Sequence, residues 1–287
     1  MNKKLRIASL SIISNTFLII LKVIAGVLSG SVSIISEAIH SSMDLAASII
    51  AFFAVKESSK KADAKHPFGH GKIEHLSGLF EGVLILVASG LIILEAIKKL
   101  DNPSPIENAG VAIFVMLTAA VVNFFVSRSL YKTAKEEDSM ALEADALHLK
   151  TDVYTALGVG VGLFLLRLTN LHIIDPLAAL VVSVLIIKEA LHLMKNAYDC
   201  IMDAKLDDEV EDKIKEIIMR HSNKFIDYHK LKTSKSGNTK NVDFHITLYY
   251  NMTVREAHDI VGLLKADMNA EIKNTRVSIH VDPSCDN

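Results

Sequence analysis

The chain has 287 residues, half of them hydrophobic and 22% charged, with a formal net charge of −2 and a mean hydropathy of +0.33. Charge is dense in residues 205–287 and almost absent from long stretches of the first 200; this unevenness excludes both disorder and a single soluble domain. There is no basic excess to argue for a nucleic-acid partner, and Cys200 and Cys285 alone make neither a disulfide framework nor a thiolate zinc site.

A helix crossing a bilayer needs about 20 mostly apolar residues. Six segments qualify, at roughly 7–28, 32–55, 76–97, 109–130, 145–168 and 175–195. The first starts with basic residues, as a signal peptide does, but its apolar stretch is too long for one and Lys22 interrupts it. Asp175-Pro176 is a helix start, with a capping acid and proline at the first helical position. Lys3, Lys4 and Arg6, then Lys56, Lys60, Lys61, Lys65 and Lys72, then Arg128, Lys132, Lys135 and Lys150 fall on one side of the six spans. The other side has Lys98, Lys99 and Arg167. The positive-inside rule therefore predicts cytoplasmic N and C termini. No Trp marks the interfaces.

The remainder predicts a small soluble α+β layer in the order αββαβ. A helix is expected over 207–221, strands over 227–235 and 241–250 joined by a turn at Ser236-Gly237-Asn238, a helix capped by Thr253, and a last strand over 276–281. The expected fold is thus an α-helical membrane protein with six transmembrane helices (1–203) and a cytoplasmic α+β domain (204–287).

Chemistry concentrates in three places. Span two holds His40 and Asp44, and span five holds His148 and Asp152, each a His-x-x-x-Asp pair. A spacing of four puts both groups on one helix face. Two such faces meeting supply two imidazoles and two carboxylates, a donor set for tetrahedral zinc, and ionisable groups inside a membrane mark pathways. The loop after span two, Asp63-Ala64-Lys65-His66-Pro67-Phe68-Gly69-His70-Gly71-Lys72-Ile73-Glu74-His75, is rich in metal-competent groups on a turn. The soluble domain adds His229, His245, His258, His280 and Asp282, with His280 and Asp282 two apart on a strand and so on one face. Other polar groups in the spans, Asn15, Lys22, Glu37, Glu81, Glu95 and Asn123, read as interhelical hydrogen-bond partners or snorkelling chains. Gly158, Gly160 and Gly162 predict close packing of span five. The chain has no HExxH motif and no phosphate-binding GxxxxGK[ST] loop, which argues against an intramembrane metallohydrolase and an ATP-driven pump.

Over residues 5–285 the chain resembles the cation diffusion facilitators, membrane exporters of divalent metals. The string His66-Pro67-Phe68-Gly69-His70-Gly71-Lys72-Ile73-Glu74 is close to that family's hallmark. The resemblance implies a transport site at His40, Asp44, His148 and Asp152 with alternating access, and a loop site at Asp63, His66 and His70. It further implies a two-metal cytoplasmic site at a dimer contact from His229, His245, His280 and Asp282, with His258 nearby, and a salt link between Lys72 and Asp203. In well-studied bacterial members the span-two histidine is an aspartate, and a histidine there is similar to the zinc-preferring branches. The metal choice stays open among zinc, cadmium, cobalt, iron and manganese. The resemblance also implies a homodimer in the inner membrane exchanging metal for protons, with metal as cargo and regulator and no further cofactor. The rival expectation is a metal sensor that keeps the ligands but transports nothing.

Overall fold

The structure is a computed structural model and describes residues 3–29, 32–101, 109–169 and 173–284. The chain forms two compact units, Met1–Tyr198 and Asp199–Asn287.

The first unit is built from six long helices: α1 (Lys3–Ser29), α2 (Val32–Ser58), α3 (Lys72–Asp101), α4 (Ala109–Glu137), α5 (Met140–Thr169) and α6 (Ile174–Ile201). Most run several residues past the apolar segments of the sequence, because backbone hydrogen bonding continues into the polar ends after hydropathy stops. Among the described residues, four of them are long and apolar enough to cross a membrane, over Lys3–Leu28, Lys72–Lys98, Phe114–Glu137 and Pro176–Ile201. The other two, α2 and α5, match them in length and carry the ionisable pairs.

The unit is apolar on its outer surface as well as in its core. Ile13, Phe17, Ile20, Ile24 and Val27 on α1, and Val83, Val87, Leu91 and Leu94 on α3, are exposed, while Ser11, Ser14, Asn15, Ser48, Ser77 and Ser89 are buried. Lipid solvates the outward apolar chains, so the interior can mix small and hydrogen-bonding residues, which let backbones approach, with large aliphatic ones such as Leu130, Leu142, Leu149 and Ile85. A Cβ on Gly82 of α3 would stand 2.3 Å from Met194 Cγ of α6, and one on Gly158 of α5 would stand 2.8 Å from Val182 Cγ2 of α6. Gly158 thus serves close packing as expected, but against α6. The expected span-two contact of α5 is also present: α2 packs on α5, and α1 and α4 complete this group. The side chains of Glu37 and Asp175, the surroundings of Gly160 and Gly162, and all of Cys285 lie outside the described residues.

The second unit contains α7 (Asp208–Met219), a short 3-10 turn, β1 (Asp227–Ser236), β2 (Thr239–Leu248), α8 (Val254–Glu271) and β3 (Thr275–Pro283). The expected αββαβ order is observed. The sheet runs β1-β2-β3, with β1 antiparallel and β3 parallel to β2. Gly237, at φ 61°, occupies the first central position of the two-residue hairpin loop, where type II′ turns place glycine. Thr253 caps α8 through a reciprocal capping box with Glu256. Val242, Phe244, Ile246 and Leu248 of β2 are buried against Ile214, Ile217 and Ile218 of α7 and Leu264 and Met268 of α8. The helices cover that face of the sheet. The odd-numbered residues of β2, His245 among them, point to the other face.

Candidate metal-transport site

α2 and α5 bring three of the four expected transport ligands together. Ligand atoms of Asp44, His148 and Asp152 all lie within 4.8 Å of one another. His148 Nε2 and Asp44 Oδ1 are 3.0 Å apart, and Asp44 and His148 are 6% and 8% exposed. His40 stands one helical turn before Asp44 on α2; its side chain lies outside the described residues. Packing of α2 on α5 brings Asp44 to His148.

Three neighbours trim the site. Asn123 Nδ2 of α4 donates to Asp152 Oδ2 at 3.1 Å, and Lys22 Nζ of α1 donates to Ser41 Oγ at 2.7 Å, beside the ligand turn of α2. Among the described residues, Asn123 Oδ1 and His148 Nδ1 are buried without a hydrogen-bond partner. Asn15 Nδ2 reaches Ser48 Oγ at 2.8 Å. Asn15, Lys22 and Asn123 therefore act as interhelical partners, as the sequence suggested. For Asn123 only the fold shows that its partner is a metal-competent carboxylate.

The loop between α2 and α3 forms a second group, with ligand atoms of Asp63, His66 and His70 also within 4.8 Å. Asp63 Oδ1 accepts from the backbone N–H groups of His66 at 2.7 Å and Lys65 at 2.9 Å. These bonds, His66's above all, hold the Asp63 carboxyl below its ordinary range. His66 Nδ1 and His70 Nε2 lie 3.3 and 3.4 Å from the two Asp63 oxygens. Gly69, at φ 91°, supplies the backbone conformation that turns His70 back toward His66, with ring centroids 4.5 Å apart.

The third group lies on the uncovered face of the soluble sheet. His229, His245 and His280 sit side by side across the three strands, paired in register. Ring centroids are 5.3 Å apart for His229 and His245, and 4.6 Å for His245 and His280. Asp282 joins them: its Oδ2 is 2.8 Å from His245 Nδ1 and 3.3 Å from His229 Nε2, and its Oδ1 is 3.3 Å from His280 Nε2. The hydrogen bond from His245 leads the causes that lower the Asp282 pKa, followed among the favourable ones by the charges of His245, His280 and His229. His229 joins this face because of a bulge between His229 and Lys232. Thr233 pairs with Val242 and is buried; strict alternation from it would turn His229 inward, and the one extra residue reverses that. His258 is not brought to this group. It is exposed on α8, the helix that covers the opposite face.

Lys72 opens α3 in the first unit, and Asp203, at φ 56°, follows α6 in the second. Two polar sets had no place in the reading of the sequence: a buried Lys4–Glu74 pair, and Asp145 with Ser48.

The model of the cation efflux transmembrane domain matches residues 8–202, and that of the cation efflux protein cytoplasmic domain matches residues 206–284. An uncharacterized transporter of Synechocystis, sll1263, is 32% identical over 92% of this chain and 85% of its own length. The cation-efflux pump FieF of Shewanella oneidensis is 30% identical over 93% of this chain and 89% of its own. The manganese efflux system protein MneP of Bacillus subtilis is 28% identical over 97% and 95%. With both parts of the chain matched, the protein belongs to the cation efflux family: it is a membrane-spanning transporter of divalent cations and not an enzyme.

Proposed function

We propose that the protein exports zinc from the cytoplasm in exchange for protons, binding the ion at His40, Asp44, His148 and Asp152 and exposing it alternately to the two sides. The observation that carries this reading is the meeting of Asp44, His148 and Asp152 from two helices of the membrane bundle. Imidazole with carboxylate suits zinc and its neighbours in the series, whereas manganese prefers oxygen donors. Two histidines therefore favour zinc over the manganese named for the Bacillus subtilis relative.

Proton exchange follows from the ligands. Cargo binds neutral imidazole and ionised carboxylate, so protons leave as it arrives. On the outer side, protons return to His148 and Asp44, which then re-form the mutual hydrogen bond seen at 3.0 Å. Asn123 keeps one Asp152 oxygen occupied, so the other is presented to the cargo. An inward proton gradient then drives metal outward.

The remaining groups serve regulation and assembly in this reading. The protein is a homodimer of the inner membrane with both termini cytoplasmic, and Lys72 and Asp203 form a salt link. The transmembrane domain covers 1–203 and the cytoplasmic domain 204–287. Asp63, His66 and His70, and separately His229, His245, His280 and Asp282, bind regulatory metal.

The test is flux in proteoliposomes loaded with a zinc-sensitive dye, with and without a pH gradient, for wild type and Asp152→Ala. Gradient-dependent zinc uptake that vanishes in the variant is expected. Flux of another divalent ion without zinc flux would correct the substrate. Absence of flux for every divalent ion, in a folded protein that still binds them, would make the chain a sensor. His40→Asp is expected to move selectivity toward manganese.

A further inference from the structure

The loop-side parts of α2 and α3 leave a groove of about 640 Å³ between them. Its lining runs from Ile50 to Glu57 on α2 and from Ile73 to Phe80 on α3, at i, i+3, i+4 and i+7 on each helix. Each helix therefore contributes one continuous face. Seven residues of helix rise about 10 Å, roughly two-thirds of the ~15 Å that one leaflet gives to the hydrocarbon core. Ala54 and Ser77 are buried and form the floor. Phe53, Leu76 and Phe80 are 58%, 60% and 49% exposed and form the walls.

The loop-side rim of this apolar groove is basic. Lys56 Nζ stands 5.9 Å from the ring centroid of Phe53, a wall residue. Lys60 Nζ pairs with Oε1 of Glu57, the acid among the lining residues. Both side chains of that pair are exposed, and an ion pair in water is weak, so Lys60 can turn to a better anion. Lys61 follows in the chain and is exposed as well. Three ammonium groups thus stand against one carboxylate at this end of α2.

A second copy of the chain suits the groove poorly. A two-fold contact through it sets the same lysines against each other. The bilayer supplies both complements at once, a hydrocarbon chain for the walls and a phosphate for the lysines, and basic clusters at the edge of a membrane helix attract anionic headgroups. We propose that the groove binds one anionic phospholipid, with an acyl chain along α2 and α3 and the phosphate held by Lys56 and Lys60. The site is separate from the three metal-competent groups, none of whose residues lines it.

The chain has no Trp, so a single introduced Trp reports contact with lipid. The experiment places the full chain carrying Phe80→Trp in phosphatidylcholine vesicles. A minor, equal fraction of the lipid is brominated phosphatidylglycerol or brominated phosphatidylcholine, and bromine quenching of the Trp is read. The anionic lipid is expected to quench about threefold more strongly at low mole fraction. Lys56→Gln with Lys60→Gln is expected to bring the two lipids to parity. Phe125→Trp on α4, 63% exposed and away from the groove, is expected to show no preference. Equal quenching of Phe80→Trp by both lipids would make the groove ordinary bilayer contact. Quenching by neither would mean that protein covers it. A preference that survives loss of both lysines, or that Phe125→Trp shares, would place the recognition elsewhere; each of these results overturns the proposal. Should Phe80→Trp not insert, Leu76→Trp reports from the same wall with the same expectations.

Discussion

Replacing Glu74 with alanine strands a buried ammonium at the loop end of the bundle. Glu74 Oε1 accepts from Lys4 Nζ at 3.0 Å and from Ser58 Oγ at 2.6 Å, and Oε2 accepts from Ser139 Oγ. One carboxylate of α3 therefore ties α1, α2 and the turn that starts α5. Lys4 is 5% exposed and Glu74 1%, so water cannot take over the lost contacts. Breaking a buried pair from one side costs about 3–5 kcal/mol. Ser139 loses its acceptor, worth about 1 kcal/mol, while Ser58 keeps its bond to the Val55 carbonyl at 3.1 Å. The expected loss for Glu74→Ala is thus about 4–6 kcal/mol. Removing both charges with Lys4→Met and Glu74→Met should cost about 2 kcal/mol or less, because no uncompensated ion remains. The assay is reversible unfolding of the full chain in mixed micelles, followed by helix circular dichroism, with all four corners of the cycle measured. A cost below about 1 kcal/mol for Glu74→Ala, or additivity across the cycle, would refute the reasoning. Flux should fall together with stability, since the tied ends belong to the helices that carry Asp44 and His148.

Asn123→Ala should lower zinc affinity about 10–100-fold, as loss of a residue that orients a ligand does, with Asp152 still present; equilibrium binding to the purified protein checks this. Thr253→Ala removes the capping box and should cost about 1 kcal/mol, lowering the melting temperature of isolated residues 199–287 by about 4–8 °C in a calorimeter. The Asp282 carboxyl is lowered in the folded unit, so its contacts stabilise above the ordinary carboxylate pKa and are lost as pH falls through the lowered value. Asp282→Asn should therefore flatten the acid limb of the stability profile below about pH 4, and an unchanged limb in denaturant titrations would count against that. Zinc added to the same isolated unit should release protons, detectable by calorimetry in buffers of different ionisation enthalpy, and His245→Asn should reduce the release.

Much of this molecule is local and therefore legible in the sequence. Four of the helices follow as spans from apolar length among the described residues, and the shared face of a His-x-x-x-Asp pair follows from helical period. The loop group follows from a short string in which Asp63, His66 and His70 are held by backbone bonds a few residues apart. The α8 start follows from Thr253 and Glu256, three apart. Other features join residues far apart in the chain. Lys4 and Glu74 are 70 apart, Ser48 and Asp145 are 97 apart, and Asn123 and Asp152 come from neighbouring helices. Such partners have no sequence period, because a helix face says which way a side chain points but not what it meets.

The soluble sheet shows the same division. Alternation along β3 places His280 and Asp282 on one face from the sequence alone, and the parallel register of β2 and β3 brings His245 beside them. His229 joins them only through the bulge before Lys232, which shifts its parity by one residue. His258, near these histidines in the sequence reading, is instead carried by α8 on the covered side. The sequence by itself determined the elements, the membrane character and the metal-binding chemistry, since these depend on composition and short spacing. Only the tertiary structure decided which polar groups complete each site, since that depends on helix packing and strand register.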